Sequence, residues 1–423
     1  MALIEGKGEG GSSRSNGNAV YIRNPTGGED MTPQLSIQER DRRYRIVRGE
    51  MARRKIDCLL LPANTGRWEQ LQADSRYLTS IGGFATEVFT VFPLDGEVTA
   101  YIFNRAGWWK QAQNWVKDVR DGRNRWGQNA IERINELGLQ KATIGISGLA
   151  GLFRAPEGII PYASVKAIQD AFPQASIVNA TEMMQEIRAV KSAEEVSMLE
   201  RSAAIIEKTI EAMIENANPG VSEKELYGAM VHAMLANGGE LPTLFFLSAG
   251  PGLSNSSFVP TDYRIQRGDR LINEIEAKYG GYAAQAVSPV VVGTPDGEYE
   301  RMIHISRACF DAILNAMRPG VTFGALFDVY TRTVEEQGKG KYLWNHPMMH
   351  ARGLGDDGPA LLGDKDLERF SKIELQTGMT FILKPQVRPA EGKGRASLGD
   401  TVTVTDNGAR RLGKRDLKLI VKN

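Results

Sequence analysis

The chain has 423 residues, with 52 Lys and Arg against 51 Asp and Glu. That length exceeds one ordinary core and predicts two domains. The near-zero balance removes the basic footprint that nucleic acid or an anionic membrane selects. The two cysteines, Cys58 and Cys309, make neither a disulfide framework nor a CxxC metal site, and no apolar run reaches the 18 residues of a membrane span. A cytoplasmic chain acting on a small molecule or on another protein is expected.

Residues 1–35 are rich in Gly, Ser and Asn and bury too little apolar surface to offset their ordering entropy, which predicts a flexible arm. From Ser36 the pattern turns helical (SIQERDRRYRIVRGEMARRK). A buried strand (IDCLLLPA) follows, then strands around ATEVFTVFPLDGEVTAYIF with Asp95-Gly96 at their turn. Alternation continues through KATIGIS and ASIVNA, so residues 36–185 are expected to form a small three-layer α/β domain. Five of the six Trp lie in it, including the pairs Arg67-Trp68 and Trp108-Trp109.

The second domain, residues 186–423, opens at Ser192-Ala193-Glu194-Glu195, a capping-box signature. It contains two copies of one unit, residues 206–239 and 307–338, offset by 100 positions (Gly220 to Gly320). Pro219-Gly220-Val221-Ser222 matches Pro319-Gly320-Val321-Thr322, and Leu226, Tyr227 and Gly238 match Leu326, Phe327 and Gly338. Each copy predicts a helix, a Pro-Gly break and a second helix capped by Ser or Thr, with strands after it. The outcome is a duplicated α+β fold whose sheet closes over a pseudo-twofold axis, with polar side chains gathered in a central cleft. The strands are TLFFLSAG, RLINEIEAKYGGYAAQAVSPVVVG turning at Gly280-Gly281, TGMTFILKPQVR and ASLGDTVTVT. Between the last two and the second repeat copy lies a Gly-rich segment carrying His346 and His350.

NEIEAKYGGY, HPMMHARGLG, FILKP and LGDTVTVTDNG stand in an order and spacing that resemble the pita-bread family of aminopeptidase P, prolidase, methionine aminopeptidase and creatinase. The resemblance covers about residues 40–420 and implies a small creatinase-type N-terminal domain followed by a duplicated pita-bread domain. In the metallopeptidase members two Asp, one His and two Glu hold a pair of ions. Carried over, those positions fall on Glu274, Gln285, His350, Lys384 and Gly399. An ammonium at one ligand position and no side chain at another oppose two dications, so neither metal nor cofactor is expected. A single ion held by Glu274, Glu276, His350 and one of Asp356 or Asp357 is the competing arrangement, and Lys384 would repel it.

Creatinase is the family's precedent for catalysis without metal, through a histidine base and carboxylates that hold a guanidinium-like group. Its histidine position falls on Ser257 here, so that mechanism does not carry over intact. The DMSP lyase branch places an acid, as base, where Asp356 stands. Lys384 is read either as a structural partner of Glu274 or as a group that meets a substrate carboxylate or oxyanion. Schiff-base chemistry is opposed by the neighbouring glutamate. His350 is the candidate acid or base, with Asp356, Asp357 or Glu276 to orient it. His346, Arg352 and Gln285 are candidate substrate contacts, and His232 and His304 are expected to be structural. In creatinase-like homodimers the N-terminal domain covers the partner's site, which would bring Arg67 or Trp68 to the substrate. The leading expectation is a metal-independent hydrolase of a C–N bond in a small polar molecule, with His350, Glu274, Asp356 and Lys384 catalytic. A metal-independent lyase or decarboxylase, and a non-catalytic binding protein, are the alternatives.

Overall fold

Ser36 opens the first helix, Ile37–Arg54, its side chain accepting the Glu39 amide, and Lys55 ends it in a left-handed conformation (φ 57°). The strand Cys58–Leu61 that follows is buried at all four residues. Its side chains alternate between two cores. Leu59 and Leu61 pack with Val47 and Met51 of the first helix, whereas Cys58 and Leu60 pack with Trp126 and Ile134 of the helix Trp126–Glu136. A sheet covered on both faces by helices is the three-layer arrangement the pattern predicted. The sheet has six strands, in the order Asp118–Asp121, Thr99–Ile102, Val88–Pro93, Cys58–Leu61, Thr143–Ile146, Ser176–Asn179.

This computed structural model describes residues 20–21, 33–62, 73–83, 86–150, 157–251, 259–345, 349–361, 364–391 and 394–423. Most of the expected arm, and the candidates Arg67, Trp68, Ser257 and His346, lie outside the described residues. Among the described residues no helix is long and apolar enough to cross a membrane.

In the second half, the repeat appears as two helix pairs. Ala193–Asn216 and Glu223–Ala236 form the first, Gly297–Ala316 and Phe323–Gly338 the second. Ser222 and Thr322 cap the two later helices. Both pairs back onto a ten-stranded sheet whose centre runs Met349–Ala351, Thr380–Leu383, Gly399–Thr405, Tyr282–Val287, Arg270–Tyr279. Gly280 and Gly281 (φ 59° and 83°) turn the last two strands into a hairpin, a bend that needs positive φ at both central residues.

The stretch TGMTFILKPQVR, expected as one strand, is two. Thr380–Leu383 stays in the large sheet, and Gln386–Pro389 leaves for a three-stranded sheet with Tyr342–Asn345 and Ala396–Ser397. Pro385 has no amide hydrogen to continue the ladder, so the chain changes sheets there. ASLGDTVTVT likewise divides, at Leu398, into Ala396–Ser397 and Gly399–Thr405. These breaks place Lys384 and Gly399 at the corner where the two sheets part.

Candidate active site

Strand pairing brings most of the expected site residues to one face. In an antiparallel ladder, opposed residues share a face and every second residue returns to it. Glu276 lies opposite Gln285, Val287 opposite Gly399, Thr401 opposite Ile382, and Ile382 opposite His350. Stepping by two along each strand, Glu274, Glu276, Gln285, Gly399, Lys384, His350 and Arg352 all project to the same side. All but Glu274 are buried, and the Glu274 side chain keeps 21% of its exposure.

Lys384 Nζ donates to Glu274 Oε2 at 2.7 Å, and Gln285 Nε2 donates to the same oxygen at 2.9 Å. Burial pushes the Glu274 carboxyl up, but the Lys384 ammonium, helped by His350 and Arg395, outweighs it and holds the group below its ordinary value. Glu276 accepts the backbone amides of Thr243 (2.9 Å) and Leu244 (3.2 Å) and an ion pair from Arg352. Arg352 reaches Asp356 Oδ1 with its other terminal nitrogen at 3.1 Å.

His350 Nδ1 lies 3.1 Å from Asp356 Oδ1 and 3.4 Å from the Ala351 carbonyl. Both neighbours accept, so the network assigns the ring proton to Nδ1 and leaves a lone pair on Nε2. Among the described residues Nε2 is buried without a hydrogen-bond partner, as is Gln285 Oε1. Burial drives the imidazole pKa down to about 4. Asp356 pulls it back in part, while the Lys384 and Arg352 cations add to the depression. At neutral pH the ring is therefore an uncharged base with a lone pair on Nε2.

The two adjacent acids part company. The Asp356 carboxylate is committed to His350 and Arg352, an orienting position rather than that of the free base expected from the lyase resemblance. Asp357, expected at the cleft, turns instead to Arg188 and faces the N-terminal domain. His232 and His304 are exposed on helices, away from this face. Trp108 stands edge-on to Trp109, which is buried in the N-terminal domain.

The donor set does not suit a pair of ions. Lys384 and Gln285 both present N–H groups to the one carboxylate among the five carried-over positions. A Cβ at Gly399 would lie 2.5 Å from the Leu383 carbonyl oxygen and 2.6 Å from Lys384 Cβ, so an acidic side chain has no room to leave the strand. The single-ion arrangement fares no better, because Glu276 and Asp356 are both engaged by Arg352 and Asp357 points elsewhere. Among the described residues no three His, Cys, Asp or Glu form a group able to hold a metal.

Two comparisons fix the relationship. The Metallopeptidase family M24 pattern matches residues 197–406, and the Creatinase/Prolidase N-terminal domain pattern matches residues 43–190. The chain belongs to the pita-bread family. Its relatives include a Xaa-Pro dipeptidase of Pyrococcus furiosus, 26% identical over 292 residues, which span 69% of this chain and 79% of that protein. An uncharacterised peptidase of Bacillus subtilis is 28% identical over 375 residues, 86% of this chain and 96% of that one. The solved X-Pro aminopeptidase of Thermotoga maritima superposes with a TM-score of 0.73 at 19% identity, covering 89% of this chain and 99% of the other, a likeness of fold.

In this pita-bread protein a cleft of about 540 Å3, its open mouth included, leads to Glu274. Phe246 and Tyr299 give it an apolar wall, and Gln386, Arg395 and Ser397 a polar one. Sequence reasoning missed these last three. Arg395 and Ser397 lie within four residues of Gly399, so their nearness to that carried-over position was the available signal.

Proposed function

We propose that this pita-bread protein is a hydrolase of a C–N bond in a small polar molecule, working with organic charges in place of metal ions. The observation that carries the reading is the Lys384 ammonium, 2.7 Å from Glu274 at the centre of the catalytic face. His350 Nε2 takes a proton from water as the oxygen attacks the carbon of the scissile bond. Asp356 keeps the ring in the tautomer that exposes Nε2 and stabilises the imidazolium that forms. Lys384 stabilises the developing oxyanion, aided by the low dielectric of its buried setting. The C–N bond breaks as the proton on Nε2 passes to the departing nitrogen, and Glu274, which lines the cleft, accepts an N–H of the substrate through Oε1. Gln285 Oε1 supplies a second acceptor.

The eliminative alternative needs Asp356 as a free base, and its Oδ1 is shared between His350 and Arg352, which favours hydrolysis. A cytoplasmic homodimer whose N-terminal domain covers the partner's site accompanies this reading, supported by the two-domain build held in common with the creatinase group.

Turnover of small amides, ureido and guanidino compounds in 18O-labelled water with excess EDTA tests the proposal. Solvent label in the product, at a rate unchanged by EDTA, is expected. An unlabelled alkene product, or loss of turnover on chelation, overturns it.

A further inference from the structure

The turn that carries Asp356 is wired to the N-terminal domain by buried ion pairs that the proposed chemistry does not use. Arg188, near the end of the helix Thr181–Ala189, is 5% exposed. Its Nε donates to Asp74 Oδ1 at 2.7 Å, and its Nη1 pairs with Asp357 Oδ1. Asp74 sits on the helix Ala73–Thr79 of the N-terminal domain, and its second oxygen accepts the Ser147 hydroxyl, just past the strand Thr143–Ile146. On the other side, Lys191 Nζ donates to the Asp357 carbonyl at 3.3 Å and to the Ala189 carbonyl at 3.2 Å. The turn is closely packed. A Cβ at Gly353 would stand 2.1 Å from Asp357 Oδ2 and 2.8 Å from Lys191 Cε.

Asp357 is thus held at both its side chain and its carbonyl, and the residue before it is the one that orients His350. We infer that Arg188 is a positioning residue: through Asp357 it fixes the turn that keeps Asp356 on His350 Nδ1, so the N-terminal domain sets which ring nitrogen bears the proton. This rests on the reading of His350 as the base. Arg188 itself touches no substrate. Outer partners of this kind orient a reacting group to within fractions of an ångström, and neutralising Arg188 leaves two buried carboxylates, Asp74 and Asp357, without their cation. With Asp357 released, Asp356 is left to the Arg352 pair alone, its hold on His350 Nδ1 loosens, and the ring begins to exchange tautomers.

The test is heteronuclear NMR of the full-length chain with 15N-labelled histidine. The chain has four histidines, and His350→Gln assigns the signal of interest. In the unsubstituted protein His350 should give one tautomer, with the proton on Nδ1 and a lone-pair resonance for Nε2. In Arg188→Gln and Asp74→Asn that separation should collapse toward averaged nitrogen shifts and the Nδ1 proton signal should be lost, while circular dichroism stays unchanged. A folded Arg188→Gln protein with the original His350 resonances overturns the inference. Should Arg188→Gln fail to fold, Asp74→Asn decides it in the same way, and Asp357→Asn, which breaks the Arg188 pair from its other end, decides it if both fail. Absence of hydrolysis by the unsubstituted protein sinks the hydrolase reading and leaves this measurement standing.

Discussion

Lys384 and Glu274 each neutralise a charge that the sheet face would otherwise hold alone. Removing one member of such a pair costs more than the pair contributes, because the survivor keeps its desolvation penalty. Lys384→Met should therefore lower stability by about 3 kcal/mol, read as a reduced urea midpoint at unchanged slope. His350 gives a pH signature of definite sign. Its folded pKa of about 4 lies below the ordinary 6.5, so the unfolded chain binds the proton first as pH falls. The stabilisation is complete above 6.5 and lost between 6.5 and about 4, amounting to about 3 kcal/mol. Glu274, also held below its usual value, adds a further loss on the acid side. His350→Gln should flatten the dependence between pH 6.5 and 4; an unchanged slope in denaturation across that range would show that the ring is not held neutral. The pairing of Lys384 with Glu274 was legible in the sequence, since both occupy carried-over ligand positions. The different fates of Asp356 and Asp357 were not. Adjacent acids in one turn have the same local signature, and the choice between them is made by Arg188, far away in the chain.

At the scale of elements the repeat was the strongest signal, and its two caps are not equivalent. Ser222 forms a full capping box with Glu225, whereas Thr322 faces Ala325 and accepts only the backbone amide. Ser222→Ala should cost about 1 kcal/mol, and Thr322→Ala less, a ranking that thermal melts of the two variants check directly. The corner at Lys384-Pro385 was harder to see, because β-forming residues continue on both sides of the proline and the alternation gives no sign of a change of sheet. Gly399 belongs to that corner. A methyl group there meets the Leu383 carbonyl and the Lys384 side chain, so Gly399→Ala should destabilise by about 2 kcal/mol through overpacking of a strand. A neutral substitution would mean the corner yields more easily than its packing implies.

Over the whole molecule, the two domains meet through buried charge as well as apolar contact. Arg43, on the first helix, is 1% exposed; it binds Glu39, donates to the Tyr282 hydroxyl at 2.7 Å and lies 3.3 Å from Glu195. Tyr282 opens the second strand of the central hairpin and Glu195 completes the cap of the helix Ala193–Asn216. Arg43→Met should cost about 4 kcal/mol and uncouple the halves, so that calorimetry shows two melting transitions in place of one. Contacts of this kind join residues more than 150 positions apart and leave no trace in local pattern, which is why the domains were legible and their joint was not. The same holds for the cleft. Of its lining only Glu274 was readable from a carried-over position, and the commitment of each carboxylate to a particular cation appeared only with the fold.

The central claim, that an ammonium and an amide have replaced ligands for a pair of ions, meets its most direct test in calorimetric titration of the chelator-treated chain with Mn2+ and with Zn2+. No stoichiometric binding is predicted for either ion. One or two equivalents bound tightly, with the binding lost in His350→Gln, would contradict the account.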